Sequence, residues 1–392
     1  MKKKIAIINS VCGTGSTGRI CADLSEFLNL NGFETKIFFG RNKNNFGRDD
    51  AYCFGNRFSL LCHALKARIF DSSGIGSYFA TKKLIKMLEI FNPDLIICNN
   101  LHGYYLNIKE FLEWVVKRNK KVISVFHDCW NFTGHCAHFD IAGCEKWKNG
   151  CEKCIEKHSY PKSLLLDASR RNYALKKQLF TNIENLSIIC PSKWLAYLTS
   201  QSFFKNRKIY TINNGIDLSK FKNTHHNKDE RFVGKKIILC VANVFDKKKG
   251  IFDINELAKM LIESELIILI GHIKEKVSLH DKIIHIDHIE NINELAHFYS
   301  MADVMFNPTY EDTFSNTNME SLSCGTPVIC YKTGGAFEML DDSYVVEKGD
   351  LKSAYALMQN IFKQNIRNLQ HGDFSREKMH KEYLKAIREI VE

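Results

Sequence analysis

Two carboxylates, Asp312 and Glu320, bracket a short turn in which Phe314, Ser315 and Asn316 offer backbone N–H groups just before an expected helix, Asn318 to Ser323. The start of a helix attracts anions, because its first N–H groups have no intrahelical acceptor and the peptide dipoles align there. Carboxylates accept hydrogen bonds from hydroxyls and amides suit phosphate, so the pattern fits a nucleotide sugar. Glu311 is a rival to Asp312 for the role of first acid. Gly325 sits where a left-handed stop is cheap, Pro327 cannot continue the helix, and Val328 to Tyr331 reads as a short buried strand. Thr333-Gly334-Gly335 is a second glycine turn, which adds the Gly335 amide to the phosphate donors, and Ala336 to Leu340 reads as another helix. Spacing alone describes an ordinary helix-turn-strand unit equally well.

Positioning such groups needs a sheet on each side of the problem. The first half of the chain alternates apolar runs (5–9, 35–39, 95–98, 122–126, 186–190) with helical periodicity (18–30, 82–91, 109–117, 163–179). That order predicts a parallel sheet covered by helices. A second α/β series starts at Lys236 and includes strands at 266–270, 282–286, 304–306 and 328–331. Between the two lie Asn214-Gly-Ile-Asp217 and a polar segment, 222–234, rich in turn residues. The predicted domains are therefore 1–217, with a Cys-rich insertion at about 129–160, and 218–374, followed by a C-terminal helix over 375–392 that carries Met379, Tyr383, Leu384 and Ile387 on one side.

Composition agrees with this division. A chain of 392 residues, 45% hydrophobic and 25% charged, is long enough for two cores. No apolar run approaches the roughly 20 residues that span a bilayer. The apolar stretch Ile5 to Ile8 is too short for a signal peptide, which places the chain in the cytoplasm and its 14 cysteines in the reduced state. A formal charge of +11 favours anionic partners without choosing among sugar nucleotides, an anionic lipid surface and nucleic acid.

Three further motifs carry chemistry. Gly13-Thr-Gly15-Ser-Thr-Gly18 is a G-x-G-x-x-G between a strand and a helix, yet the second strand ends at Phe39-Gly40-Arg41 with no acid for a ribose. Gly15 is then a cleft amide near phosphate and acceptor, with a tight βα turn and an NAD(P) site as alternatives. His127 and Asp128 end the strand 122–126, where ligand-facing residues of a parallel sheet belong, and His102 lies at the end of the preceding strand. Cys136, Cys144, Cys151 and Cys154 cluster in the insertion, which fits either a structural Zn²⁺ held by four thiolates or reduced thiols packing a loop. Cys129, His135 and His138 are substitute ligands. No Asp-x-Asp pair occurs, so no metal is expected to be required for catalysis.

The stretch 311–335 resembles the acidic-x7-acidic signature of family 4 retaining glycosyltransferases, with its following Gly-Thr-Pro-Val and Gly-Gly segments. Ser315 replaces the usual glycine, and the shorter Asp312 occurs in a branch that builds bacterial surface polysaccharides such as O-antigen, capsule and colanic acid. Residues 13–19 and 99–154 resemble that branch as well, and Asn214 to Asp217 resembles the Asn-Gly-(Ile/Val)-Asp run that closes the first domain in the family. The resemblance implies the GT-B arrangement, two Rossmann-like domains facing a cleft with the C-terminal helix crossing back to the first, acceptor side N-terminal and nucleotide-sugar side C-terminal. It implies that Asp312 contacts the donor sugar and Glu320 the ribose. Lys249 matches the family's diphosphate-binding lysine, whereas Val244 stands at the position of its arginine, and Lys247 or Lys248 is left to supply the missing charge. His127 would hold a sugar hydroxyl or polarise the reacting centre, with His102 and Asp128 on the acceptor side. The expected reaction moves a hexosyl-type sugar from a nucleoside diphosphate to a saccharide on a polyprenyl-linked acceptor, with retention, by an enzyme peripheral to the inner membrane. An NAD(P)-dependent sugar-nucleotide enzyme is the alternative. A basic zinc-containing nucleic-acid binder is a weaker one, because no nucleic-acid-binding signature is present and no nucleic-acid partner is expected.

Overall fold

The computed structural model describes residues 2–42, 45–223, 228–369 and 372–391. Residues 224–227 of the polar segment expected at the domain boundary, and the final residue of the C-terminal helix, lie outside them. The chain divides into two compact units, Met1–Ile212 with His380–Glu392, and Asn213–Met379.

The first unit contains β1 (Lys4–Asn9), α1 (Gly15–Leu30), β2 (Glu34–Phe39), β3 (Ala51–Cys53), α2 (Arg57–Phe70), α3 (Tyr78–Phe91), β4 (Leu95–Cys98), α4 (Ile108–Lys117), β5 (Lys121–Val125), α5 (Ser169–Thr181), β6 (Leu186–Cys190), α6 (Lys193–Gln201) and β7 (Lys208–Thr211). Its seven strands form one sheet in the order β3-β2-β1-β4-β5-β6-β7, every pairing parallel. Strands covered on both faces read as continuous apolar runs, and Leu95, Ile96, Ile97 and Cys98 are all buried. The strand order reverses between β1 and β4, which opens a crevice at their carboxyl ends.

The second unit repeats the plan with β8 (Lys236–Phe245), α7 (Ile251–Met260), β9 (Glu265–Ile273), β10 (Ile283–Ile286), α8 (Ile292–Met301), β11 (Val304–Asn307), α9 (Asn316–Ser323), β12 (Val328–Tyr331), β13 (Val345–Val346), α10 (Leu351–Gln364) and α11 (Arg376–Val391). Its parallel sheet runs β10-β9-β8-β11-β12-β13, with the reversal between β8 and β11. The later part of α11 belongs to the first unit: Lys121 Nζ donates to the Ile390 carbonyl at 2.6 Å and Tyr210 donates to Glu389 at 2.9 Å. Its buried stripe includes Met379, Tyr383 and Ile387.

Three local expectations differ from the structure. The segment 163–168 is not helical, because the Leu164 and Leu166 N–H groups donate to the Arg68 and Ile69 carbonyls at the end of α2, and Asp71 accepts from Ala168 N–H at 2.8 Å. Residues 336–340 form consecutive tight turns, with the Ala336 carbonyl taken by the Asn318 side chain at 2.9 Å. Helix α9 starts two residues earlier than its periodicity indicates, at Asn316, because Ser315 serves as its N-cap.

Candidate active site

In the second unit the candidate groups gather at the reversal point. Strand β8 runs into a short 3₁₀ turn, Lys247–Lys249, in which Asp246 accepts from the Lys248 and Lys249 N–H groups. Gly250 follows with φ 71°, and a Cβ there would stand 2.3 Å from the Pro308 carbonyl oxygen. Only glycine permits so close an approach to the segment leaving β11. The Tyr310 N–H donates to the Lys248 carbonyl at 2.8 Å, joining the two loops. As a result Lys249 Nζ lies 2.9 Å from Asp312 Oδ2 and 3.2 Å from Thr309 Oγ1.

The rival acid is occupied differently. The Glu311 side chain is only 1% exposed and pairs with Lys248 Nζ at 2.5 Å. Glu311 and Lys248 thus form a buried tie beneath the loops, whereas Asp312 and Lys249 are the more accessible pair. Val244, at the position of the family's arginine, is partly exposed beside an irregularity in the β8–β9 pairing.

Helix α9 carries Glu320, whose Oε2 accepts from Tyr299 at 2.9 Å. Burial and the Glu320 carboxylate push the Tyr299 phenol well up, so it stays a donor. Ser315 caps the helix through Asn318 N–H, and Asn307, the last residue of β11, donates to both Ser315 Oγ at 3.1 Å and Asn318 Oδ1 at 2.8 Å. Two amides expected to meet phosphate have protein acceptors: Phe314 N–H donates to Asp312 Oδ1 at 3.3 Å, and Gly335 N–H to the Asp312 carbonyl at 3.2 Å. Both bonds shape the loop that presents Asp312. Asn316 begins the first turn of α9 and is half-buried.

In the first unit, residues at the ends of three adjacent strands form a second network. Asn9 closes β1, Asn99 follows β4 and His127 follows the β5 run. Asn99 donates to Asn9 Oδ1 at 3.4 Å and to the Thr17 carbonyl at 3.2 Å, which turns its own Oδ1 to His127 Nε2 at 3.2 Å. An amide oxygen only accepts, so the His127 proton sits on Nε2. Burial, outweighing the nearby Asp128 carboxylate, lowers His127 to about 4 and keeps the ring neutral near neutral pH. Gly15 opens α1 with φ 64°, and the glycine turn closes on itself through Gly13 N–H to the Gly18 carbonyl at 3.0 Å.

Beside it, His102 Nε2 contacts Asp128 Oδ2 at 2.8 Å, and His102 Nδ1 meets the Tyr160 hydroxyl at 3.0 Å. Burial alone would raise Asp128, but the His102 ring holds its carboxyl well below the usual range. Asp128 Oδ1 also accepts from Trp130 N–H at 2.8 Å. Asn9, Asn99, Tyr160, Thr309 and Tyr299 were not singled out in the sequence. The only signal for the first two was an asparagine ending each apolar run.

The Cys-rich insertion packs around Phe132, Phe139 and Trp147. Cys136 and Cys154 hydrogen-bond to each other, while Cys151 Sγ accepts from Gly134 N–H at 3.2 Å. Among the described residues no group of three or more His, Cys, Asp or Glu side chains is arranged to hold a metal ion. Lys176 is buried here, with Nζ 3.8 Å above the Trp130 ring, and burial lowers it to about 7.

With this geometry in place, comparison with known proteins is decisive at the family level. A profile described as "Glycosyltransferase Family 4" matches residues 17–220, and one described as "Glycosyl transferases group 1" matches 221–381. The chain belongs to glycosyltransferase family 4. It is 31% identical over 170 residues to an Escherichia coli (strain K12) protein whose name, WcaC, goes with colanic acid biosynthesis glycosyl transfer, a match over 42% of this chain and 40% of that protein. The match thus spans less than half the length of this relative. Solved structures share the whole fold. Sucrose-phosphate synthase from Thermosynechococcus elongatus superposes with a TM-score of 0.65 at 16% identity, over 99% of both chains. Anabaena HepE, solved with UDP-glucose, superposes with a TM-score of 0.66 at 10% identity, over 98% of this chain and 99% of that one. This glycosyltransferase therefore has the GT-B type of fold, two Rossmann-like units with parallel sheets.

Proposed function

We propose that this glycosyltransferase moves a hexosyl-type sugar from a nucleoside-diphosphate donor to a saccharide hydroxyl on a lipid-linked acceptor, with retention, in the assembly of a surface polysaccharide. The observation that carries the donor side is the 2.9 Å pair of Lys249 and Asp312 at the reversal point of the second sheet. Open α/β sheets bind ligands at that point. The chemical difficulty is the diphosphate, which gains negative charge as the glycosidic C–O bond stretches. An ammonium held by Thr309 and Asp312 is already in place for it and needs little reorganisation. Asp312, freed from Lys249 by the arriving phosphate, would accept from sugar hydroxyls, and Glu320, oriented by Tyr299, would accept from the ribose.

The acceptor side falls to the first unit, where neutral His127 and the His102–Asp128 pair hold hydrogen-bonding groups at strand ends. The complex of HepE with UDP-glucose supports a nucleotide-sugar donor, and the name of WcaC supports a polysaccharide product. No helix among the described residues is long and apolar enough to cross a membrane. A cytoplasmic enzyme working at the inner leaflet on a polyprenyl-linked saccharide completes the proposal.

The test is a donor screen that measures nucleoside diphosphate released in the presence of lipid-linked saccharides, followed by NMR of the product's anomeric configuration. One donor should give turnover with the configuration retained. Absence of release with every nucleoside-diphosphate sugar, or an inverted product, would overturn the reading.

A further inference from the structure

The Cys-rich insertion holds a fixed shape with little regular structure. Between β5 and α5 the chain forms only two 3₁₀ turns, Trp130–Phe132 and Lys146–Lys148, yet Trp130, Phe132 and Trp147 are fully buried. A connection of this length without helix or strand is uncommon unless something fastens it. Its cysteines are free thiols, so the fastener is not a disulfide.

The surroundings of the thiols suit anionic sulfur. Cys151 Sγ accepts from Gly134 N–H at 3.2 Å, and Cys154 Sγ accepts from the N–H of Glu156, two residues further on. Hydrogen bonds of this kind are strongest when the acceptor is ionised. Cys136 touches Cys154, and Cys151 lies within electrostatic range of Cys136, Cys144 and Cys154. The turn from Cys151 to Cys154 is held by Lys146, whose Nζ donates to the Glu152 and Lys153 carbonyls at 3.1 and 3.2 Å. Trp147 Nε1 donates to the Cys144 carbonyl at 3.0 Å and so fixes the other end of the loop.

Two buried groups lack the anion they need. Lys176 is 2% exposed, and its Nζ donates to the Trp130 carbonyl. The groups acting most strongly on its charge are the Cys151 and Cys136 sulfurs, ahead of Asp128 and Asp71, which are engaged by His102 and His135. His135 gives Nδ1 to Asp71, while its Nε2 is buried beside Cys154 with no hydrogen-bond partner. A buried cation without a counter-ion costs several kcal/mol, and an orphaned buried nitrogen adds to it. Four thiolates around Zn²⁺ leave a net double negative charge, which both groups would offset.

We propose that Cys136, Cys144, Cys151 and Cys154 bind one structural Zn²⁺, with Lys176 and the Asp71-held His135 as the surrounding groups that balance the charge of the cluster. As they stand the sulfurs are not arranged around a common point, so the two thiol-bearing turns close onto the metal as it binds. The metal then fastens the loop whose Ala137 N–H donates to the Tyr160 carbonyl at 3.3 Å, and Tyr160 meets His102 at 3.0 Å.

The test is elemental analysis of the full chain, purified under reducing conditions without a histidine tag. One zinc per chain is expected, released by a mercurial reagent. Replacement by Co²⁺ should give the intense visible absorption of a tetrahedral thiolate site. Cys151→Ser/Cys154→Ser should retain less than about a tenth of the zinc and melt at lower temperature, whereas Cys62→Ser on α2 should retain all of it. Lys176→Met should keep the shape of the cobalt spectrum but weaken zinc binding by about tenfold in a chelator competition. A folded wild-type chain without zinc, and with no thiolate cobalt spectrum after reconstitution, would overturn the proposal. So would full zinc in the double cysteine variant, or a disulfide between Cys136 and Cys154 under the same reducing conditions. Unchanged zinc affinity in folded Lys176→Met would overturn the part given to the lysine.

Discussion

Lys249 and Lys248 are neighbours of one type with opposite fates. Lys249 meets Asp312 at an accessible position, and Lys248 meets the buried Glu311. Lys249→Ala should therefore lower diphosphate release by on the order of a hundredfold, as expected for removing one prearranged charge stabiliser, with thermal stability nearly unchanged. Steady-state kinetics of the variant checks this, and near-normal turnover would remove Lys249 from the donor site. Lys248→Met should behave in the reverse way. It removes the ammonium beside the buried Glu311 carboxylate and should cost about 3 kcal/mol in urea unfolding, much of it recovered when Glu311→Gln is added. Adjacent lysines in a sequence carry no mark of this division. It depends on which carboxylate the β11 loop turns inward.

At the scale of elements, one glycine and one serine hold the donor loops in register. Gly250→Ala would combine a left-handed backbone with a methyl at 2.3 Å from the Pro308 carbonyl. A loss of about 2 kcal/mol is expected, together with a raised KM for the donor as Lys249 shifts from Asp312. An unchanged KM in a folded variant would show that the loop contact does not set the lysine. Ser315→Ala should cost about 1 kcal/mol by removing the cap of α9, read from the melting temperature. Element types here followed from apolar period and turn residues, and most strands and helices lie within a few residues of their expected places. Helix α2 did not emerge from that reading, because its apolar stripe faces solvent and the usual inference from apolar period to core fails there.

Over the whole molecule, acid should be destabilising before the carboxylates are reached. His63 is buried with two N–H donors aimed at Nε2, and burial lowers it from about 6.5 to about 4. The unfolded chain then binds more protons than the folded one between these values. Stability is complete above the unfolded value and falls as the pH drops toward about 4, by about 3 kcal/mol from this ring. Melting temperatures at about pH 7 and about pH 5 should differ, and His63→Asn should reduce the difference without removing it, since buried His127 is also lowered to about 4.

The chain order of strands and helices, the acid pair at 312 and 320 and the Cys-rich insertion were all legible from residue types at near neighbours. Period, capping and turn chemistry act over a few residues, and so they leave their record in the linear sequence. Which strand ends meet is a long-range matter. The sheet order alone brings Asn9 beside Asn99 and His127, and Lys249 onto Asp312 and Thr309, across separations that no local rule spans. Tertiary packing also decided that Glu311 is a buried tie, since that depends on where side chains point once the loops are closed.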